Sequence, residues 1–172
     1  MNLPTWITVS RLFGVPFLLY GLRFPDSTTR WWMVVIFLLA ACTDWLDGYL
    51  ARRLNQVTEL GKFLDPLVDK LLVLAPLVAL IEWGRVPAWG VFLILARELT
   101  IAGWRVSGAT VPGAALAGKL KTVVQIIAIA VLLAPLDQQF AALGTGLFWL
   151  AVALTLGSGL LYLWPRSAQK RP

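Results

Sequence analysis

The strongest constraint on this chain is that its apolar residues are gathered into stretches of membrane-crossing length. A helix needs about 20 mainly apolar residues to cross a hydrocarbon core. Six stretches qualify, at residues 7–22, 30–53, 61–82, 86–107, 114–136 and 138–164. Only the last has a long charge-free run; the others carry charge toward one end. The linkers have turn compositions: Pro25, Asp26, Ser27 and Thr28 in 23–29, Gly84 and Pro87 in 83–87, Gly108 and Pro112 in 107–113. The expected fold is therefore an all-α integral membrane protein of six transmembrane helices, in one domain over 1–172, with the polar helix ends converging on one face of the membrane. Hydrophobic residues at 59% and charged residues at 14% are far from the composition of a soluble domain.

Six spans place both termini on one side. Arg11, Arg52, Arg53, Lys62, Lys70, Arg97, Arg105, Lys119, Lys121, Arg166, Lys170 and Arg171 then share a face, against Arg23, Arg30 and Arg85 opposite. The positive-inside rule assigns the basic face and both termini to the cytoplasm. A net charge of +6 suits an anionic lipid surface, and membrane lipids rather than nucleic acid are the expected partners. The tail 167–172 reads as a lipid-facing or solvated end. Residues 1–11 lack the pattern of a removable signal peptide. Trp6, Trp31, Trp32, Trp83, Trp89 and Trp164 stand near stretch ends, as interfacial anchors or as core filler. The single cysteine, Cys42, lies in an apolar run and reads as a packing residue.

Acidic residues inside such spans are costly and need a partner or a cavity. Asp44, Asp47, Asp65, Asp69 and Glu98 all fall there. Asp44 and Asp47 are i, i+3 neighbours and Asp65 and Asp69 are i, i+4 neighbours, so each pair occupies one helix face. The segment 54–60 reads as a turn that brings the two faces together. Four carboxylates in a low-dielectric pocket repel one another unless cations neutralise them. An all-oxygen donor set, in a chain with no histidine, favours Mg²⁺, Mn²⁺ or Ca²⁺. Gly48, Ala51 and Gly61 suit either close helix packing or close approach of a ligand. Arg52, one turn after Gly48, places a cation where a diphosphate can bind. Pro66 marks either a local bend or a helix start.

Asp44-Trp-Leu-Asp47-Gly48-Tyr-Leu-Ala51-Arg52, eight further residues, then Gly61-x-x-x-Asp65-x-x-x-Asp69 resembles the signature of the CDP-alcohol phosphotransferase family at every defined position. The resemblance implies a homodimer whose active site opens to the cytoplasmic interface, and localisation in a bacterial-type inner membrane. It implies that Asp44, Asp47, Asp65 and Asp69 ligate two ions, Mg²⁺ or Mn²⁺. Asp69 would also be the catalytic base, and Asp44, Gly48, Ala51, Arg52, Gly61 and Asp65 would cradle the CDP moiety. Asn2-Leu-Pro4-Thr5-Trp-Ile7-Thr8-x-x-Arg11, Ala96-Arg97-Glu98 and Gly118-Lys119-x-Lys121-Thr122 resemble the branch that makes phosphatidylglycerophosphate, with Thr5 where that branch has Asn. The resemblance covers residues 1 to about 133, and the last span carries no recognised motif.

Arg97, Lys119 and Lys121 lie toward the same end as the acids and suit an acceptor that carries a phosphate. The competing reading has the lysines touching lipid headgroups and Arg97 paired with Glu98 or another acid; Arg105 is read that way. The expected reaction transfers the phosphatidyl group of CDP-diacylglycerol to sn-glycerol 3-phosphate by direct in-line attack, releasing CMP. Inositol phosphate, serine or phosphatidylglycerol as acceptor would use the same chemistry. A divalent-cation transporter lined by the same acids is the alternative from another class, and Arg52 beside the carboxylates argues against it.

Overall fold

The computed structural model describes the backbone of residues 3–24, 26–54, 59–106 and 115–163, and the side chains of 13–24, 26–43, 67, 68, 70–103, 118 and 120–159. Six helices account for nearly all of it: α1 (Leu3–Leu22), α2 (Ser27–Leu54), α3 (Glu59–Glu82), α4 (Ala88–Val106), α5 (Ala115–Leu133) and α6 (Gln138–Leu163). No strand occurs among the described residues. Among the described residues one helix, α6 over Gln138–Gly159, is long and apolar enough to cross a membrane by length and composition; Phe13–Leu22, Ser27–Thr43 and Leu120–Leu133 are shorter apolar pieces.

Helix boundaries follow local chemistry. α2 begins earlier than its apolar run because Asp26 caps it, the Thr29 N–H donating to Asp26 Oδ2 at 2.8 Å. That bond holds the exposed Asp26 carboxyl below its ordinary pKa of 3.8. The cap therefore contributes fully above the unfolded-state pKa and is lost as pH falls through the lower folded-state value. α5 ends at Leu133, short of the expected 136, because Pro135 disfavours helical geometry in the residue before it. The start reading of Pro66 gives way, since its backbone lies well inside α3 (Glu59–Glu82).

α3 stops on Gly84, which takes φ 64°. The Gly84 N–H donates to Ile81 O and the Arg85 N–H to Leu80 O, each at 2.9 Å, a Schellman closure. A side chain meets no neighbour there, so Gly84→Ala isolates the backbone cost. It should lower stability by about 1–2 kcal/mol, the penalty of left-handed backbone for an L-residue, read as a lower unfolding temperature in detergent. An unchanged temperature would show that the turn relaxes without strain.

The helices bury one another unevenly. α5 packs most closely on α6, and α1 on α3; α3 also touches α2, α4 and α5, and α4 is held by α6 and α3. The tightest core joins Leu18 and Leu22 of α1, Phe37 of α2, Leu77 and Leu80 of α3, Ile129, Leu132 and Leu133 of α5, and Phe148 of α6. These come from the late part of odd-numbered helices and the early part of even-numbered ones, so the apolar core fills one end of the bundle. Arg30 closes that end: Nε donates to Leu133 O at 3.0 Å and Nη2 to Ala134 O at 3.1 Å, satisfying the final carbonyls of α5. Its guanidinium lies 4.8 Å from the Trp83 ring centroid. Trp83 is thus a half-buried part of this packing, whereas Trp31, Trp32 and Trp89 are exposed.

The outside is as apolar as the inside. Phe13, Phe17, Trp32, Leu39, Phe92, Leu99, Leu143 and Leu150 are exposed on helices from every part of the bundle except α3 and α5, where Val78 and Ile127 take that place. Cys42 is exposed too, so it is a surface residue and not the packing residue expected from its apolar run. An apolar surface of this extent suits lipid as the surrounding solvent.

Candidate functional site

The other end of the bundle carries the polar residues. Asp44 and Asp47 lie one turn apart in the second half of α2, followed by Gly48, Ala51 and Arg52. Gly61, Asp65 and Asp69 lie in the first half of α3. The two helices touch and are separated by residues 55–58 only. Asp47 stands seven residues before the end of α2 and Asp65 six residues after the start of α3, about 10 and 9 Å along their axes. Asp44 and Asp69 each stand ten residues from those same ends, about 15 Å. The helical register therefore carries the aspartates in two layers of matching depth. The side chains of Asp44, Asp47, Gly48, Ala51, Arg52, Gly61, Asp65, Asp69, Arg105 and Lys119 lie outside the described residues, as do those of the N-terminal strip, residues 55–58 of the expected turn and the tail 167–172. Among the described residues, no group of three or more His, Cys, Asp or Glu is placed to hold a metal ion.

The described side chains form a second polar cluster at this end. Glu98 Oε1 accepts from Arg97 Nη1 at 3.2 Å and also from Lys121 Nζ. Arg97 Nη2 donates to Ser158 Oγ at 3.0 Å, and Ser158 Oγ donates in turn to Thr155 O at 3.0 Å. The cluster thereby ties α4, α5 and α6 together. Lys70 follows Asp69 on α3, a helix that packs on α5. Lys121 is only 5% exposed, and Gln125, one turn further along α5, is buried as well. Arg97 does pair with Glu98, and that pairing gives the acid inside α4 the partner it requires.

Sequence reasoning missed Ser158. A serine in an apolar helix reads as an ordinary small residue at a helix contact. A signal was nonetheless present: Thr155, Ser158 and Gly159 stand at i, i+3 and i+4, one polar and small stripe on an otherwise apolar α6.

Comparison with known proteins covers almost the whole chain. Residues 1–157 match the CDP-alcohol phosphatidyltransferase family. The chain is 38% identical to the CDP-diacylglycerol--glycerol-3-phosphate 3-phosphatidyltransferase of Bacillus subtilis (strain 168), over 94% of this chain and 93% of that protein. It is 37% identical to the protein of the same name from Escherichia coli (strain K12), again over 94% and 93%. The relative of that name from Sodalis glossinidius (strain morsitans) is 34% identical over 95% of this chain and 94% of its own length. With a match that runs through all six helices and includes both aspartate pairs in their helical register, this chain belongs to the CDP-alcohol phosphatidyltransferase family.

Proposed function

We propose that this chain is a phosphatidyltransferase of phospholipid biosynthesis, moving the phosphatidyl group of CDP-diacylglycerol to sn-glycerol 3-phosphate and releasing CMP. The observation that carries the reading is the two-layer register of Asp44, Asp47, Asp65 and Asp69 on touching helices. The choice of acceptor follows from near full-length similarity to bacterial enzymes bearing that name. The working protein is a single domain over 1–172, a homodimer spanning a bacterial inner membrane six times, with its active site and both termini on the cytoplasmic side. Clustering of Lys and Arg at the aspartate end supports that orientation.

The donor chemistry of the site fits hard divalent cations, because the four aspartates offer oxygen alone and the chain contains no histidine. Asp44, Asp47, Asp65 and Asp69 would hold them, two ions of Mg²⁺ or Mn²⁺. When bound, such ions neutralise the diphosphate and the leaving oxygen of CMP. The chain's own residues do the rest. Asp44, Gly48, Ala51, Arg52, Gly61 and Asp65 seat the CDP moiety, Arg52 supplying a fixed cation for its phosphates. Arg97, Lys119 and Lys121 bind the phosphate of the acceptor. Asp69 takes the proton from the acceptor hydroxyl as its oxygen attacks the phosphorus bearing the diacylglycerol; the bond from that phosphorus to the CMP oxygen breaks, and CMP leaves.

An acceptor panel tests this directly. Purified protein given CDP-diacylglycerol should release CMP with glycerol 3-phosphate and give little with serine, inositol phosphate or phosphatidylglycerol. Preference for another member of the panel would keep the chemistry and replace the acceptor. Divalent-cation flux into liposomes without CDP-lipid, and no CMP release, would replace the enzyme with a transporter.

A further inference from the structure

The Arg97 guanidinium is gripped from two helices. Glu98 of α4 takes its Nη1, and Ser158 of α6 takes its Nη2. The Ser158 hydroxyl has one proton, spent on Thr155 O, so it meets Arg97 with a lone pair. Gly159 completes the arrangement, since a Cβ there would lie 3.1 Å from Arg97 Cγ and press on the arginine stem. The same Glu98 oxygen that takes Arg97 also takes Lys121 from α5, so a single carboxylate sets the spacing of two cations. Ser158 and Gly159 lie just beyond the stretch matched by the family, residues 1–157.

We infer that Ser158 and Glu98 are positioning residues, which fix Arg97 and, through Glu98, Lys121 to receive the phosphate of the acceptor alcohol. The inference rests on the proposed function above. An unrestrained arginine loses much rotamer freedom when it binds an anion. Here that freedom is removed before the acceptor arrives. The Lys121 ammonium has three N–H donors, so its bond to Glu98 leaves donors for a phosphate. A tie that merely joined helices would need none of this polarity, because apolar packing serves that purpose in α1 and α3.

The test separates KM for the two substrates, using full-length enzyme in mixed micelles of detergent and CDP-diacylglycerol. Ser158→Ala should raise KM for glycerol 3-phosphate about tenfold, as expected for a lost hydrogen bond to a charged group. KM for CDP-diacylglycerol and kcat should stay within about twofold of wild type. Ser158→Thr, which keeps the hydroxyl, should return the acceptor KM toward wild type, and Gly159→Ala should raise it from the other side of the same arginine. An unchanged acceptor KM in both Ser158→Ala and Gly159→Ala overturns the inference, as does a fall in kcat and folded yield with both KM values unmoved. Wild-type enzyme that fails to use glycerol 3-phosphate overturns the functional reading instead.

Discussion

Replacing Asp69 with asparagine should reduce kcat by about 10²–10⁴-fold, the usual contribution of a positioned general base, while KM for CDP-diacylglycerol changes far less. The reason lies in what the chain lacks. With no histidine available, proton removal from the acceptor hydroxyl falls to a carboxylate, a lysine, a tyrosine or water. Of the two motif aspartates on α3, Asp69 stands deeper, on a helix that packs on α5, which carries Lys121 of the cluster assigned to the acceptor. Asn has nearly the same shape but removes one negative charge together with the base, so kcat is compared at saturating Mg²⁺ to separate lost proton transfer from weakened metal binding. Single-turnover CMP release, with binding of CDP-diacylglycerol measured separately, distinguishes the two effects. Activity near wild type would remove Asp69 from the role and point to solvent as the proton acceptor.

Chelation should have an effect as large. EDTA is expected to take CMP release to background, and Mg²⁺ or Mn²⁺ should restore it. A second readout needs no turnover. Four carboxylates at two matched depths on touching helices repel one another when no cation lies among them. Chelated wild-type protein should therefore unfold at a lower temperature than the metal-supplemented form. Asp47→Asn, which removes one of the four charges, should show a smaller gap between those two temperatures. If chelator leaves both activity and unfolding temperature alone, the aspartates serve something other than a metal centre.

Much of the fold could be read from the sequence because each helix end has a chemical cause close by. The expected 138–164 and the observed α6 (Gln138–Leu163) differ by one residue, since the whole run is apolar and its start follows Asp137 directly. The second stretch was placed late, at 30–53, because hydropathy registers apolar residues and not the Asp26 cap that begins α2 at Ser27. The fifth was placed too long because hydropathy continues through Leu136, while backbone geometry before Pro135 does not. The aspartate pairs were legible for a related reason. Charge inside an apolar helix is costly, so it stands out, and i, i+3 or i, i+4 spacing maps directly onto a helix face.

The acceptor end was less legible, because it depends on contacts between distant parts of the chain. Arg97 and Lys121 are visible in the sequence as cations toward the same end as the acids. That one oxygen of Glu98 takes both of them, across 23 residues for Lys121, is a matter of how α4 and α5 each pack on α3 and α6. Ser158, 61 residues from Arg97, carries no charge and belongs to no motif, so only the packing of α4 on α6 brings it into view.

The bond from Arg30 to the end of α5 has a bearing on biogenesis. Its partners are separated by 103 residues, so the second helix is synthesised long before the carbonyl it will bind. Until α5 is made, the Arg30 guanidinium lacks its two carbonyl partners and α2 has no α5 to pack on. The contact between early and late helices therefore forms only after both helices that carry the motif aspartates have been made.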